Sequence, residues 1–164
     1  MLLLRLREFP FRPLPTLKSC LSFSKYTYIN DAQMIMFLQL SFLVLLIRVF
    51  HSYNIEGILG MVRAAEAKRS PLIIQMFPWA VTFSSGLLVH TAAHAARSAS
   101  VPIAIHLDHA QDEALIKQAA DLPFDSIMVD MSHYEMEENL AQTKELVKYC
   151  NERQKCTEAE PGRI

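Results

Sequence analysis

Three cysteines in 164 residues, at positions 20, 150 and 156, are too few and too unevenly spaced for a disulfide framework or a zinc ribbon. They read as ordinary thiols of a reduced, intracellular and cytoplasmic protein, with Cys150 on the core face of a helix. Charge of one sign is also scarce. The 16 basic and 17 acidic residues leave a formal charge of −1, so no general attraction to nucleic acid or an acidic membrane follows. Neither G-x-G-x-x-G nor a P-loop occurs, which removes the usual support for a nucleotide cofactor. A spanning helix needs about 20 apolar residues. The densest run, Met34 to Ile47 (MIMFLQLSFLVLLI), is shorter than that and is closed by Arg48. Carrying that arginine into hydrocarbon costs about 2.5–3.5 kcal/mol, so a buried strand or helix is expected there and a membrane anchor is the minor reading.

What is present is a hydrophobic content of 51%, enough for one domain with a real core. The chain has two parts. Residues 1–49 form an atypical N-terminal segment, with Arg5, Arg7, Arg12, Lys18 and Lys25 against the single acid Glu8 before residue 29. That balance resembles a transit peptide, but Pro10, Pro13 and Pro15 interrupt any continuous amphipathic helix. From residue 50 to 164 helical and apolar stretches alternate. Asn54 to Arg69 carries Ile55, Ile58, Leu59 and Val62 at helical spacing, with Asn54 placed to cap. Strands are expected at 71–76, 101–108, 124–130 and 156–160, and further helices at 86–98, 112–121 and about 137–154. Near-continuously apolar strands, each followed by a helix, imply a parallel sheet covered by helices. The repeat of about thirty residues favours a (β/α) barrel.

Polar residues fall at the ends of these strands. His106, Asp108 and His109 close one, Asp130, Ser132 and His133 the next, and Glu158 and Glu160 a third. Strand ends of a parallel barrel lie on one face, where active sites are assembled. Alternation puts His106 and Asp108 on one side of their strand, and likewise Glu158 and Glu160. Imidazoles with carboxylates suit zinc or another divalent first-row metal. The structural alternative is that these groups cap helices and pair with arginines from other strands. Weaker candidates are His90 and His94, at i and i+4 but without the glutamate of H-E-x-x-H, and His51, which could face the mouth. Trp79 in FPWA reads as a packing residue.

From Phe50 to Ile164 the chain resembles the class II, metal-dependent aldolases of fructose and tagatose bisphosphate. The resemblance is carried by YNIEG, SPLIIQ, VPIAIHLDHA, SIMVDMSH and TEAEPGRI, the last three in matching order and spacing. Tyr28 to Gln33 (YINDAQ) looks like the short helix before that family's first strand. The resemblance implies a TIM (β/α)8 barrel, of which this chain supplies about four βα units and the start of strand five. It implies Zn2+ held by His109, carboxylates Asp130 and Glu160 for a second or displaced metal ion, and Asp108 as the acid that exchanges a proton with the C4 oxygen. The implied reaction is reversible cleavage of fructose 1,6-bisphosphate to dihydroxyacetone phosphate and glyceraldehyde 3-phosphate, with zinc as Lewis acid, in a homodimer. Tagatose bisphosphate is the alternative substrate. An alternative of another class is a non-catalytic fragment or small membrane-anchored protein.

The sequence also departs from the family. His51 stands where asparagine is usual, Pro161 where leucine is, and Met131 where glycine is common. Met34 to Val49 has no counterpart. Further zinc histidines, the glutamate-bearing loop and the Gly-rich phosphate loops would follow Ile164, and a whole barrel needs about 250 residues. The 164-residue chain is therefore expected to turn over slowly if at all and to associate through open sheet edges.

Overall fold

The computed structural model describes residues 48–160. Its elements in chain order are β1 (Arg48–His51), α1 (Ile55–Lys68), β2 (Leu72–Met76), α2 (Pro78–Phe83), α3 (Leu87–Ser98), β3 (Ile103–Ala110), α4 (Glu113–Asp121), β4 (Ser126–Val129), α5 (Met136–Glu152) and β5 (Cys156–Ala159). The five strands form one sheet in the order β1-β2-β3-β4-β5, every neighbouring pair parallel. Where strand order follows chain order, crossovers of one hand put the covering helices on the same face, as in a barrel wall. The α/β reading and the incomplete barrel are thus what the chain folds into.

Local chemistry explains the element ends. Asn54 is extended and its side chain accepts a hydrogen bond from Gly57 N at 2.7 Å, capping α1. Asp112 does the same for α4 through Leu115 N at 2.7 Å. The helix α2, which periodicity does not reveal, is only six residues long and starts on Pro78, whose fixed φ suits a first helical turn. Gly86 separates α2 from α3 at φ +80°, and a Cβ there would also come within 3.1 Å of the Leu122 side chain.

The core lies between the sheet and the helices. Ile58, Val62 and Ala65 of α1 and Leu88, Val89, Ala92, Ala93 and Ala96 of α3 are buried at helical spacing. They pack with Leu72, Ile74, Ile103 and Ile105 of the strands. Leu146 and Cys150 of α5 are buried in the same cluster, so Cys150 is a core thiol. Strands β2, β3 and β4 are almost wholly buried, whereas β1 is exposed along most of its length and β5 is part-exposed. These two are the sheet's edges. The strand β1 begins at Arg48 and was not legible as a strand, because it is four residues long and continues an apolar run without alternation. Met34 to Ile47, Tyr28 to Gln33, Cys20 and Pro161 lie outside the described residues. Among the described residues no helix is long and apolar enough to cross a membrane.

Candidate active site

The ends of β1, β3, β4 and β5 bring together three histidines and four carboxylates. Their placement depends on an irregularity in β3. Leu107 pairs with Ile127 and Ala110 with Val129, so β3 advances three residues while β4 advances two. His109 sits inside this step in the left-handed region, at φ 48°. Histidine tolerates that region better than most residues, and the backbone cost is on the order of 1–2 kcal/mol. In a regular strand Asp108 and His109 would point to opposite faces. Here each finds partners at the strand ends.

One cluster forms around Asp108. Its Oδ2 lies 2.7 Å from His51 Nε2, and the His51 ring stacks on Phe77 with centroids 4.4 Å apart. Behind it, fully buried His106 is held by a hydrogen bond between Nδ1 and Ser126 Oγ at 2.8 Å. Among the described residues His106 Nε2 makes no hydrogen bond, and it lies 3.5 Å from Glu158 Oε2 and 3.9 Å from Asp108 Oδ1. Burial lowers the His106 pKa to about 4, overriding the opposing pull of Asp108, while the His51 and His109 charges push it the same way as burial. His106 is therefore a neutral imidazole at neutral pH.

The other cluster is His109, Asp130 and Glu160. His109 Nδ1 is 2.8 Å from Asp130 Oδ2 and 3.6 Å from Glu160 Oε2. One ligand atom from each residue can be chosen so that all lie within 4.8 Å of one another. Burial works against ionisation of Asp130, but bonds from Ser132, His109 and Gln111 outweigh it and bring its pKa down to about 2. The Asp130 hydrogen bond raises the pKa of His109 against the opposing effect of burial, with the charges of Asp108, Asp130 and Glu160 adding to the rise. Glu160 also has its carbonyl tied down, by Asn139 Nδ2 at 3.2 Å.

The strand-end acids singled out in the sequence thus meet His106 and His109 at one end of the sheet, where Asp108, Asp130 and Glu160 lie against histidines. Glu158 and Glu160 serve different neighbours, His106 and His109. His90 and His94 are exposed on α3. His133 is exposed and packs on Tyr134, with ring centroids 4.0 Å apart. Trp79 is 55% exposed and stacks on Tyr53 at 4.8 Å. Ser126, Gln111 and Phe77 escaped the sequence reading. Nothing in their residue type or spacing marks them, because their roles come from neighbouring strands.

The family model for fructose-bisphosphate aldolase class-II matches residues 45–164. The chain belongs to the class II fructose-bisphosphate aldolase family. Within that family, a Coccidioides immitis protein provisionally named fructose-bisphosphate aldolase is 62% identical over 120 residues, covering 68% of this chain and 40% of the relative. A Giardia intestinalis fructose-bisphosphate aldolase is 37% identical, covering 70% and 36%. A Bacillus licheniformis relative, 38% identical over 68% of this chain and 41% of its own, is named 6-phospho-5-dehydro-2-deoxy-D-gluconate aldolase. A crystal structure of a Coccidioides immitis protein provisionally named fructose-1,6-bisphosphate aldolase superposes with a TM-score of 0.68 at 61% identity, over 70% of this chain and 45% of that one. The chain spans less than half the length of these family members.

Proposed function

We propose that residues 48–160 form the metal-binding and proton-transfer part of a site for reversible aldol cleavage of a ketose bisphosphate, with fructose 1,6-bisphosphate as substrate. The observation that carries this reading is the pairing of two clusters at one sheet end. A histidine nitrogen with two carboxylates stands beside a separate carboxylate, Asp108, that lies outside that set among the described residues. The donor set fits a divalent cation, since one neutral nitrogen and two carboxylates form a borderline-to-hard site, and hydrogen bonding keeps Asp130 ionised well below neutral pH. His109, Asp130 and Glu160 would hold Zn2+. When bound, the metal supplies Lewis acidity toward the ketose carbonyl. Asp108 takes the proton of the C4 hydroxyl as the C3–C4 bond opens, the electron pair left at C3 takes up a proton from solvent, and Asp108 gives its own proton up to solvent; the aldol direction reverses each transfer. Products are dihydroxyacetone phosphate and glyceraldehyde 3-phosphate.

A homodimer and a cytoplasmic setting belong to the same proposal. The thiol of Cys150 is free and buried, and burial pushes its pKa up to about 11, the behaviour of an unreactive core cysteine.

The test is a chimera in which residues 45–164 replace the matching segment of the Coccidioides immitis relative. Zinc-loaded chimera is expected to cleave fructose 1,6-bisphosphate in a coupled assay, faster than tagatose 1,6-bisphosphate or the Bacillus relative's named substrate. A folded, metal-loaded chimera that cleaves none of them would overturn the proposal, and a reversed preference would reassign the substrate.

Metal binding has its own check in the 164-residue chain. Calorimetric zinc affinity is expected to fall at least tenfold in His109→Ala, because a ligand and its bond to Asp130 are lost together. It should be unchanged in the His90→Ala, His94→Ala pair, which is exposed on α3. Equal losses in both would remove His109 from the site.

A further inference from the structure

The two oxygens of Asp108 have different surroundings. Oδ2 is 2.7 Å from His51 Nε2, while Oδ1 is 3.9 Å from His106 Nε2, beyond hydrogen-bonding distance. A carboxylate that swings freely can offer either oxygen to a reacting hydroxyl. One bonded through Oδ2 is held in a single rotation. The His51 ring is itself held, lying nearly parallel to Phe77 with 13° between the planes. Both rings stand where neighbouring strands end, since His51 pairs with Gln75 of β2 and Phe77 follows two residues later. Phe77 faces His109 as well, at a centroid distance of 6.3 Å and 28°.

We infer that His51 is a positioning residue for the acid. It donates Nε2–H to Asp108 Oδ2 with Phe77 as its backing, and so holds the carboxylate in one rotation for proton exchange. The inference rests on the proposed function for the role of Asp108 but goes beyond it. Asparagine, usual at this place in the family the sequence resembles, carries its amide nitrogen two bonds from Cβ. The nitrogen that bonds Asp108 here is three bonds out. Asparagine on the same backbone therefore falls one bond short, whereas glutamine, with its amide nitrogen also three bonds from Cβ, matches the histidine in length.

The direct test is the long-range 1H–15N spectrum of the imidazoles in the full 164-residue chain, with His51 assigned by the signal lost in His51→Gln. The expected result is a single His51 tautomer protonated on Nε2, whose shifts move in Asp108→Ala. Averaged tautomers that ignore Asp108→Ala would overturn the inference. In the chimera, His51→Ala is expected to lower kcat about tenfold or more with KM changed less than twofold, through misplacement of the acid. His51→Asn should behave like His51→Ala, and His51→Gln should recover most of the rate. Wild-type kcat in His51→Asn would also overturn it. A failure of Asp108→Ala to slow the reaction would instead strike at the proposed function and leave the spectroscopic result standing.

Discussion

Asp108→Ala in the chimera is expected to lower kcat about 10³-fold, the middle of the range for a group that moves a proton in the transition state. Metal content should not change with it. Asp108 lies outside the His109, Asp130 and Glu160 group, and the partner it hydrogen-bonds is His51. Folding should survive too, because the carboxylate sits at the sheet end rather than in the apolar core. The measurement is therefore threefold: turnover in the coupled assay, zinc per chain, and the unfolding midpoint. A variant that retains its zinc and its midpoint with kcat within tenfold of the parent would remove Asp108 from the chemistry.

A second large effect concerns stability. His106 is expected to cost the folded chain about 3 kcal/mol as the pH falls from about 6.5 to about 4. The sign follows from where the proton goes. Above 6.5 neither state is protonated at this residue and stability is full. Between the two values the unfolded chain takes up a proton that the buried imidazole refuses, so unfolding is favoured. Below about 4 both states carry it and no further loss accrues. The neighbouring pair does not mimic this window. His109 has a raised pKa, so its contribution is complete below 6.5, and Asp130 stays ionised down to about 2. Urea unfolding at pH 7.5 and pH 4.5 reads the difference. His106→Asn retains a polar atom where Nδ1 meets Ser126, cannot protonate, and should show a drop smaller by about 2.5 kcal/mol over that interval. An identical drop in both proteins would mean that His106 titrates normally.

Much of this was legible in the sequence for a physical reason. Buried parallel strands leave no solvent face, so PLIIQM and VPIAIHLD stand out as apolar runs, and their polar ends stand out against them. Caps are equally readable, as Asn54 and Asp112 show, because the bond they make is local. Contacts between distant segments were not readable. His51 and Asp108 are 57 residues apart, and their 2.7 Å bond depends on where β1 lies in the sheet. The same holds for Ser126 beneath His106 and for Gln111 on Asp130. Alternation could not anticipate the extra residue in β3, since no composition marks it.

That extra residue sets a rule for moving the site elsewhere. Copying His106, Asp108 and His109 onto a regular strand of another barrel would send two adjacent side chains to opposite faces, and only one would arrive. A successful graft must lengthen its host strand by one residue and accept histidine at positive φ. Here the unit that has to be transplanted is a change in strand length as much as a set of amino acids.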